Sequence, residues 1–570
     1  MLTIRLIGRP GLEAEGEPAT GPRGQKAWAL LGMLVREREP ISRRRLAGEL
    51  FADADDPMGA LRWTLAELRR RTAQSDGFRS DPVQLGLGCD VEVDVLGLSS
   101  GRLPERVPEG EFLEGVNVQG CPQFESWLLV ERQRVDSELL TLLRQTALQA
   151  MAGRDARRAV DCATAMTRRA PWEEGSHVLL VKALVAAGDQ EAAEAHVALA
   201  EERFRDELGV EPSMAIRSAA RPQVAAPVPG VSASASARSL LDAGLAAVSA
   251  GAVDAGIECL RRAASDAESA GDDELVSRCL AELGTTLVHA IRGFDDEGAV
   301  MLENAASLAA EVGATTIAAK ARSELAYVDL LAGRRASVVA NLDSARELAG
   351  SDVAMHATIA GFDAMNESDW GRNDEAVQRW TEAVELARSG GSRRRLTWSL
   401  GIGARTMFLQ GRFDEALAWA GECIRLAEEE RWTSFRPWPE AWIAKTRLAI
   451  GEEPGAVRRD VETTFALAKQ LQDPCWEGVS ATALGLTYVA EGDYETGLSW
   501  ISNAGMWCTR VSDAYYWVEV DALCAESQAA NEVGDSERAA SVARRAIVGA
   551  ARGQMDELLG VATDALRATS

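Results

Sequence analysis

Residues 409–429, LQGRFDEALAWAGECIRLAEE, show the pattern that recurs through most of this chain. Gly411 lies between two apolar segments, where a glycine is typical of the turn between two helices. The apolar residues that follow it recur every three or four positions, as on one face of a helix. They are Phe413, Ala416, Leu417, Ala420, Ile424 and Ala427, of which the alanines let neighbouring helices approach closely. The stretch therefore predicts one unit of an array of helical hairpins.

The turn glycine recurs at nearly constant intervals on both sides of this unit. Successive steps are 42, 40, 38, 40, 40, 41 and 42 residues, along Gly251, Gly293, Gly333, Gly371, Gly411, Gly451, Gly492 and Gly534. Self-similarity at such a period is typical of solenoids, in which each hairpin buries its apolar face against the next. An earlier pair, Gly153 and Gly188, is 35 residues apart. We expect a mainly α chain that ends in an α-solenoid.

A stretch of different composition divides the helical part. Residues 221–237 read RPQVAAPVPGVSASASA, and sequence so rich in Pro, Ala and Ser buries little apolar surface. It predicts a linker, with short-period hairpins in residues 112–220 before it and the long array, residues 238–570, after it.

The first 98 residues differ from the rest because they mix strand and helix patterns. Residues 2–6 alternate apolar and polar side chains, as a half-buried strand does. Three helices are predicted next. The first begins at Gln25, the second follows an N-cap at Ser42, and the third opens at Asp56-Pro57.

Two short alternating runs, residues 83–87 and 91–95, follow these helices and predict a β-hairpin. A strand, three helices and a hairpin indicate a winged helix-turn-helix domain of the α+β type in residues 1–98. This domain is followed by the α-helical hairpins.

Composition and charge exclude several classes of protein. No apolar run approaches the roughly 20 residues that span a bilayer, and residues 1–10 lack the apolar core of a signal peptide, so we expect a cytoplasmic protein that does not enter a membrane. The net charge of −26 is unlike that of a protein coated in nucleic acid. Residues 1–80, however, carry 14 basic and 11 acidic side chains, a balance of +3, which leaves −29 on the remainder.

The sequence holds no recognisable catalytic or metal-binding arrangement. Its nine cysteines include no C-x-x-C pair, its four histidines are dispersed, and no nucleophile-elbow or phosphate-binding motif is present. We therefore expect no enzyme activity, no cofactor and no metal.

The third predicted helix, PMGALRWTLAELRRRT in residues 57–72, carries the strongest functional pattern. Leucines form one face of it, and arginines lie on the other. Arg pairs with guanine or phosphate, and Thr can contact a thymine methyl group. Further arginines open the second helix and precede the hairpin, where a wing meets the minor groove. The candidate DNA-binding residues are Arg43, Arg44, Arg45, Arg62, Thr64, Arg69, Arg70 and Arg79. Charge alone fits a solvated basic helix surface equally well, and the strand, helix and hairpin context favours DNA.

These stretches also carry a family resemblance. Residues 1–98 resemble the OmpR-type winged helix of the Streptomyces antibiotic regulatory protein (SARP) family, through the opening strand, ISRRRLAGELF and ALRWTLAELRR. Residues 112–220 are similar to the bacterial transcriptional activator domain of that family, through FESWLLVERQRV, APWEEGSHVLLVKALVAAGD and ELGVEPS. The array in residues 238–570 resembles the tetratricopeptide-like tails of large regulators.

The resemblance implies a transcription activator that binds double-stranded promoter DNA and recruits RNA polymerase. It implies that the loop before the recognition helix contacts polymerase, which here comprises Phe51, Asp53, Asp55 and Asp56. The repeat tail would then be a regulatory module that binds a small-molecule or protein effector, or a second copy of the chain in a homodimer.

Two residues of the third helix depart from the family pattern. Glu67 stands where a basic residue is common, so it would repel phosphate or accept from a cytosine amino group. Trp63 replaces a smaller apolar residue and is expected in the core. Together with the acidic loop, Glu67 leaves a second function open, namely a helical-repeat scaffold or adaptor whose winged helix docks onto proteins.

The repeat tail is rich in tryptophan, and one cluster is a candidate ligand pocket. Solenoids bind peptides and small molecules on their concave face, and aromatic rings beside arginines suit such a site. The cluster comprises Arg431, Trp432, Arg436, Trp438 and Trp442. For any single tryptophan, packing in the core of a hairpin is the favoured interpretation.

Overall fold

The computed structural model describes residues 2–37, 40–72, 78–87, 91–99, 103, 107–220, 232–250, 252–290, 292–509 and 514–569. These residues are mainly helical, with a small sheet near the N-terminus, which confirms the predicted fold class. The chain divides into two compact units, Met1–Leu143 and Arg144–Ser570.

The sheet belongs to the first unit. β1 (Leu2–Arg5) pairs antiparallel with β2 (Gly11–Ala14), and β2 pairs antiparallel with β3 (Glu17–Ala19). On its other side β1 pairs in parallel with β4 (Val91–Val93), which gives the order β3-β2-β1-β4. The predicted opening strand is therefore confirmed and lies in the interior of the sheet.

Four helices complete this unit together with the first part of a fifth. The three predicted helices are confirmed as α1 (Gln25–Arg36), α2 (Arg43–Leu50) and α3 (Pro57–Arg71). α4 (Asp94–Ser99) follows the last strand, and α5 (Pro122–Ala152) contains the boundary between the units.

The predicted hairpin of residues 83–87 and 91–95 is wrong. Val83 forms an isolated antiparallel bridge with Ile41, and residues 91–93 pair with β1 instead. The carboxylate of Asp94 accepts the backbone N–H groups of Leu6 and Ile7, each at 2.9 Å. These bonds hold residues 91–93 beside β1 as the edge strand of the sheet, while Val83 pairs with Ile41 instead, so the two runs do not pair with each other. Burial raises the pKa of the Asp94 carboxyl.

The second unit consists of helices. Their bounds are α6 (Ala156–Arg169), α7 (Glu174–Ala186), α8 (Gln190–Arg203), α9 (Met214–Ala219), α10 (Ala233–Ser249), α11 (Val253–Ala270), α12 (Asp273–Ala290), α13 (Asp295–Glu311), α14 (Thr315–Leu331), α15 (Arg335–Leu348), α16 (Val353–Trp370), α17 (Asn373–Ser389), α18 (Arg393–Leu409), α19 (Phe413–Glu429), α20 (Pro437–Ala449), α21 (Pro454–Leu471), α22 (Pro474–Ala490), α23 (Tyr494–Cys508), α24 (Tyr516–Glu532), α25 (Ser536–Arg552) and α26 (Asp556–Arg567). A short π-helical segment, Phe204–Leu208, continues α8, and a 3-10 turn, Thr433–Phe435, precedes α20.

From α10 onward, successive helices pack as the predicted hairpins. The turn glycines from Gly293 to Gly534 have φ between 68° and 94°, a conformation that glycine adopts without strain. Gly251 lies outside the described residues. In the hairpin unit of residues 409–429, Ala416, Ala420 and Ala427 are buried, as their helical spacing predicted.

The predicted linker, residues 221–237, ends earlier than expected. Ser232 accepts the backbone N–H of Ala235 at 3.2 Å and so caps α10, which begins at Ala233. A serine N-cap and alanines are favourable at the start of a helix, and this local preference outweighs the low apolar content of the stretch. Residues 221–231 lie outside the described part of the chain.

The interior of the repeat array contains a buried polar network. The carboxylate of Asp369 accepts from Arg405 Nη2 at 2.5 Å and from the hydroxyl of Tyr515 at 2.7 Å. Arg335 Nη1 lies 3.5 Å from the other Asp369 oxygen, and both guanidinium groups are fully buried. Because these residues come from α15, α16, α18 and the start of α24, the network joins hairpins that are distant in sequence.

Candidate functional site

The predicted recognition helix is fixed at its start and along one face. The carboxylate of Asp56 accepts the backbone N–H of Gly59 at 2.8 Å and caps α3, with a proline at the first helical position. Leu61, Leu65 and Leu68 are buried, so the opposite face of the helix remains at the surface.

That surface face combines positive charge with an aromatic ring. The side chains of Arg62 and Arg70 are 61% and 67% exposed, and Trp63 is 56% exposed. Ala66 and Arg69 are half-buried between them on neighbouring turns. We call these five residues the α3 stripe. It presents arginine donors and an apolar ring together, the chemistry that base edges and phosphates require.

Two residues of α3 lie elsewhere than the sequence suggested. Thr64, a predicted base-contacting residue, is buried, and its hydroxyl donates to the Ala60 carbonyl at 2.9 Å. Trp63, which was expected in the core, is exposed instead. Thr64 follows Leu61 by three positions and so shares its face, whereas Trp63 follows Leu61 by two and points away. The helical spacing could have distinguished the two residues.

The Glu67 side chain does not point into solvent, where its carboxylate would repel DNA phosphates. Its carboxylate is buried and accepts from Arg70 at 2.5 Å and from Arg71 at 3.0 Å. The hydrogen bond from Arg71 lowers the pKa of the Glu67 carboxyl, so the group stays ionised and neutralises its arginine partners. The predicted clash with phosphate is therefore weakened.

The three arginines that open α2 have different surroundings. Arg43 donates to the carbonyls of Arg79 at 2.8 Å and Ser80 at 3.3 Å, so its guanidinium anchors the segment after α3. Arg45 pairs with Glu49 at 2.8 Å and with Glu37 at 3.1 Å. Arg44 is exposed, as is Arg79. Arg43 therefore has a structural role, holding the backbone of residues 79–80, that the sequence did not indicate.

The loop before α3 is also only partly available to a partner. Phe51 is buried beneath Lys26, whose ammonium lies 5.4 Å from the ring centroid, so the prediction that Phe51 contacts polymerase is wrong. Asp53 pairs with the same Lys26, and Asp56 caps α3. Asp55 is exposed.

The candidate ligand pocket in the tail is not an open site. Trp438 and Trp442 are fully buried in α20, and Trp438 Nε1 donates to the Gly401 carbonyl at 3.0 Å. Trp432 stacks on Phe435, with ring centroids 4.6 Å apart, outside that buried pair. Arg436 pairs with Glu440 at 2.7 Å, and Arg431 is exposed. Trp438 and Trp442 fill helix contacts because α20 packs against helices on both sides, so the pocket prediction is wrong for these two rings. For Arg431, Trp432 and Arg436 it stays a prediction.

A contact that the sequence did not reveal joins the helices after residue 143 to the repeat array. Arg144 in α5 donates to Asp296 at 2.8 Å and to Asp329 at 3.4 Å, and its side chain is only 5% exposed. We call these three residues the Arg144 cluster. Lys182 in α7 forms a second buried pair with Glu297 at 3.2 Å. Oppositely charged groups that meet from positions more than 100 residues apart leave no local signal in the sequence.

Neither a metal centre nor a membrane span emerges in the part of the chain that the structure describes. No three His, Cys, Asp or Glu residues are grouped there as a metal ion would require. No described helix has the length and apolar character needed to cross a bilayer.

Comparison with known proteins identifies one segment of the chain. The family model of the bacterial transcriptional activator domain matches residues 108–222. No curated protein matches the chain.

Several solved structures are similar to parts of this chain at low identity. A Rap protein complexed with competence and sporulation factor is 13% identical, covers 57% of this chain and 79% of its own, and has a TM-score of 0.39. Mycobacterium tuberculosis EmbR in complex with a low affinity phosphopeptide is 17% identical, with coverage of 38% and 64% and a TM-score of 0.28. A signal transduction ATPase with a tetratricopeptide repeat sensor from Pyrococcus horikoshii is 11% identical, with coverage of 95% and 65% and a TM-score of 0.37. All three scores lie below 0.5 and establish no shared overall architecture.

The chain therefore contains a segment that matches the bacterial transcriptional activator domain, preceded by a small α+β unit and followed by helical hairpins.

Proposed function

We propose that this chain is a transcription regulator that binds promoter DNA through α3 in the cytoplasm. The observation that carries the proposal is the α3 stripe, an arginine-rich face with an exposed indole, next to a segment that matches the bacterial transcriptional activator domain. In this proposal residues 1–98 are a winged helix-turn-helix of the OmpR type, and the protein acts as an activator. The candidate base contacts are Arg62, Trp63 and Arg70.

Arg44, Arg45, Arg69 and Arg79 suit the phosphate backbone, because all four lie wholly or partly at the surface of the same unit. Their contribution should depend strongly on salt, since phosphate contacts release counterions. Asp53, Asp55 and Asp56 are all exposed, but Asp53 pairs with Lys26 and Asp56 caps α3, so we assign the contact with RNA polymerase to Asp55. An Asp55→Ala variant should bind DNA normally and lose transcription activation in a reconstituted assay.

The experiment is fluorescence anisotropy with the full chain and labelled fragments of its own upstream region. We expect binding that weakens steeply with salt. Arg62→Ala should lower affinity for the preferred fragment by about 1–3 kcal/mol and affect random DNA much less. Arg44→Ala should weaken all fragments alike and reduce the salt slope by about 1. Arg567→Ala, an exposed arginine of α26, is the matched control and should change neither.

Failure to bind any upstream fragment would overturn the proposal. If a stable protein partner were then captured through residues 1–98, the scaffold or adaptor alternative would replace it. Burial of Glu67 removes one of the two features that favoured this alternative from the sequence.

The repeat tail is proposed to regulate the DNA-binding unit through the activator segment. The Arg144 cluster supports this route, because it ties α5 to α13 and α14 of the array. An effector that rearranges those hairpins would act on α5, and α5 continues along the chain into the N-terminal unit.

A further inference from the structure

The activator segment contains a cavity that the proposed function does not use. α6, α7 and α8 line an open cavity of about 570 Å³. Binding pockets for organic ligands commonly have volumes of about 300–1,000 Å³. The walls combine apolar side chains, including Pro171, Leu180 and Leu199, with a small number of polar groups.

Two histidines in the wall form a directional hydrogen-bond chain. His177 Nε2 lies 2.9 Å from the carbonyl oxygen of Pro171, which can only accept, so this nitrogen carries the proton. In the neutral ring Nδ1 of His177 is then an acceptor, and it takes the N–H of His196 Nε2 at 3.0 Å. Nδ1 of His196 is left as an acceptor, and no hydrogen bond to it occurs within the described residues.

The surroundings keep both rings neutral near pH 7. Burial lowers the pKa of His177. Burial and the neighbouring ring lower the pKa of His196 to about 4. The histidines therefore contribute an oriented acceptor rather than positive charge.

The charge of the cavity comes from two arginines. Arg168 of α6 and Arg203 of α8 line it, and none of the described side chains in its wall is acidic. The nearest carboxylate to Arg203 is that of Glu207, 3.8 Å away on the exposed side, and the guanidinium lies 5.3 Å from the ring centre of Trp172. The charged side chains of the wall itself are therefore arginines only, and arginines in an apolar wall attract ligands of the opposite sign.

We infer that this cavity binds an amphipathic organic anion. The acidic group would bind Arg203, with Arg168 in the same wall, and an apolar, preferably aromatic, body would lie against Leu199 and the histidine pair. The site goes beyond the proposed function, because it gives the activator segment its own effector site, separate from the repeat tail. Its test does not require DNA binding.

The test uses 8-anilinonaphthalene-1-sulfonate and its uncharged analogue N-phenyl-1-naphthylamine as fluorescent probes of the full chain. We expect the sulfonate to bind more tightly than the uncharged analogue. The double variant Arg168→Met with Arg203→Met should weaken sulfonate binding by about tenfold or more, equal to about 1.4 kcal/mol, and change binding of the analogue by less than about twofold. Arg157→Met, an exposed position on α6, is the control and should change neither.

A second readout remains informative if the double variant folds poorly. The chain has only four histidines, so the ring nitrogens can be followed individually by NMR after 15N-histidine labelling. Addition of the sulfonate should shift the signals of His177 and His196 and leave those of His289 and His356 in place. Equal binding of the two probes, or unmoved signals from His177 and His196, would overturn the inference.

Discussion

Removal of the Arg144 guanidinium should loosen the contact between the activator segment and the repeat array. The perturbation is Arg144→Met, which keeps an apolar stem of similar length and deletes the charge. It leaves two carboxylates without their shared partner, Asp296 at 23% exposure and Asp329 at 4%.

The structure sets the size of this effect. Breaking a buried ion pair by removing one partner costs about 3–5 kcal/mol. Asp329 keeps hydrogen bonds from Arg334 at 2.8 Å and from Asn341 at 3.3 Å, and Asp296 regains water. Both partners are therefore partly compensated, so we expect the lower figure, about 3 kcal/mol, which is roughly a hundredfold in an opening equilibrium.

Native-state hydrogen–deuterium exchange of the full chain measures this local opening. The slowest amides of α7 and α13 should exchange roughly a hundredfold faster in Arg144→Met, while those of α18 and α19 keep their wild-type rates. Arg157→Met removes an exposed arginine of α6 and should leave every helix unchanged. The reasoning is refuted if exchange in α7 does not respond to Arg144→Met, or responds equally to the control.

Trp63→Ala should lower affinity for the preferred upstream DNA by roughly tenfold, whereas Thr64→Val, at a buried position, should leave it within about twofold; anisotropy distinguishes them. Asp369→Asn leaves two buried guanidinium groups without a counter-charge, so the repeat array should lose about 3–5 kcal/mol, seen as a lower urea midpoint in tryptophan fluorescence. The exposed Asp374→Asn should not shift that midpoint. Neighbouring cations outweigh burial and hold the pKa of Glu324 at about 2, below its ordinary 4.5. Ionised Glu324 therefore contributes up to about 3 kcal/mol to the free energy of unfolding above about pH 5, and this contribution is lost toward about pH 2. Glu324→Gln should make the urea midpoint depend less on pH over that range.

The local elements of the fold were accessible from the sequence because local chemistry determines them. The serine before α2 and the Asp-Pro pair before α3 mark helix starts by satisfying free backbone N–H groups. The glycine period of the array follows from the left-handed turn that each hairpin repeats.

The sheet partner of residues 91–93 could not be predicted in the same way. A short apolar alternation is equally suited to a hairpin and to a parallel strand. Its pairing with β1 depends on a contact across almost ninety residues, which Asp94 fixes by accepting from Leu6 and Ile7.

For the candidate site, residue types were predicted better than residue orientations. Arg62 and Arg70 lie at the surface as expected. The exposure of Trp63 and the burial of Thr64 follow from their spacing to Leu61, although the two residue types suggested the opposite. The ion pairs of Glu67 could also be predicted, since its arginine partners follow it by three and four positions. The Arg144 cluster could not be predicted, because the partners of Arg144 lie more than 150 residues from it in the sequence.

Genome-wide mapping of DNA bound by the full chain in its own cells tests the central claim most directly. The wild-type protein should give discrete sites upstream of genes, and the double variant Arg62→Ala with Arg70→Ala, which removes two exposed arginines of the α3 stripe, should lose them at equal protein abundance. A map without enriched sites, or one that the double variant leaves unchanged, would contradict the claim that α3 reads promoter DNA.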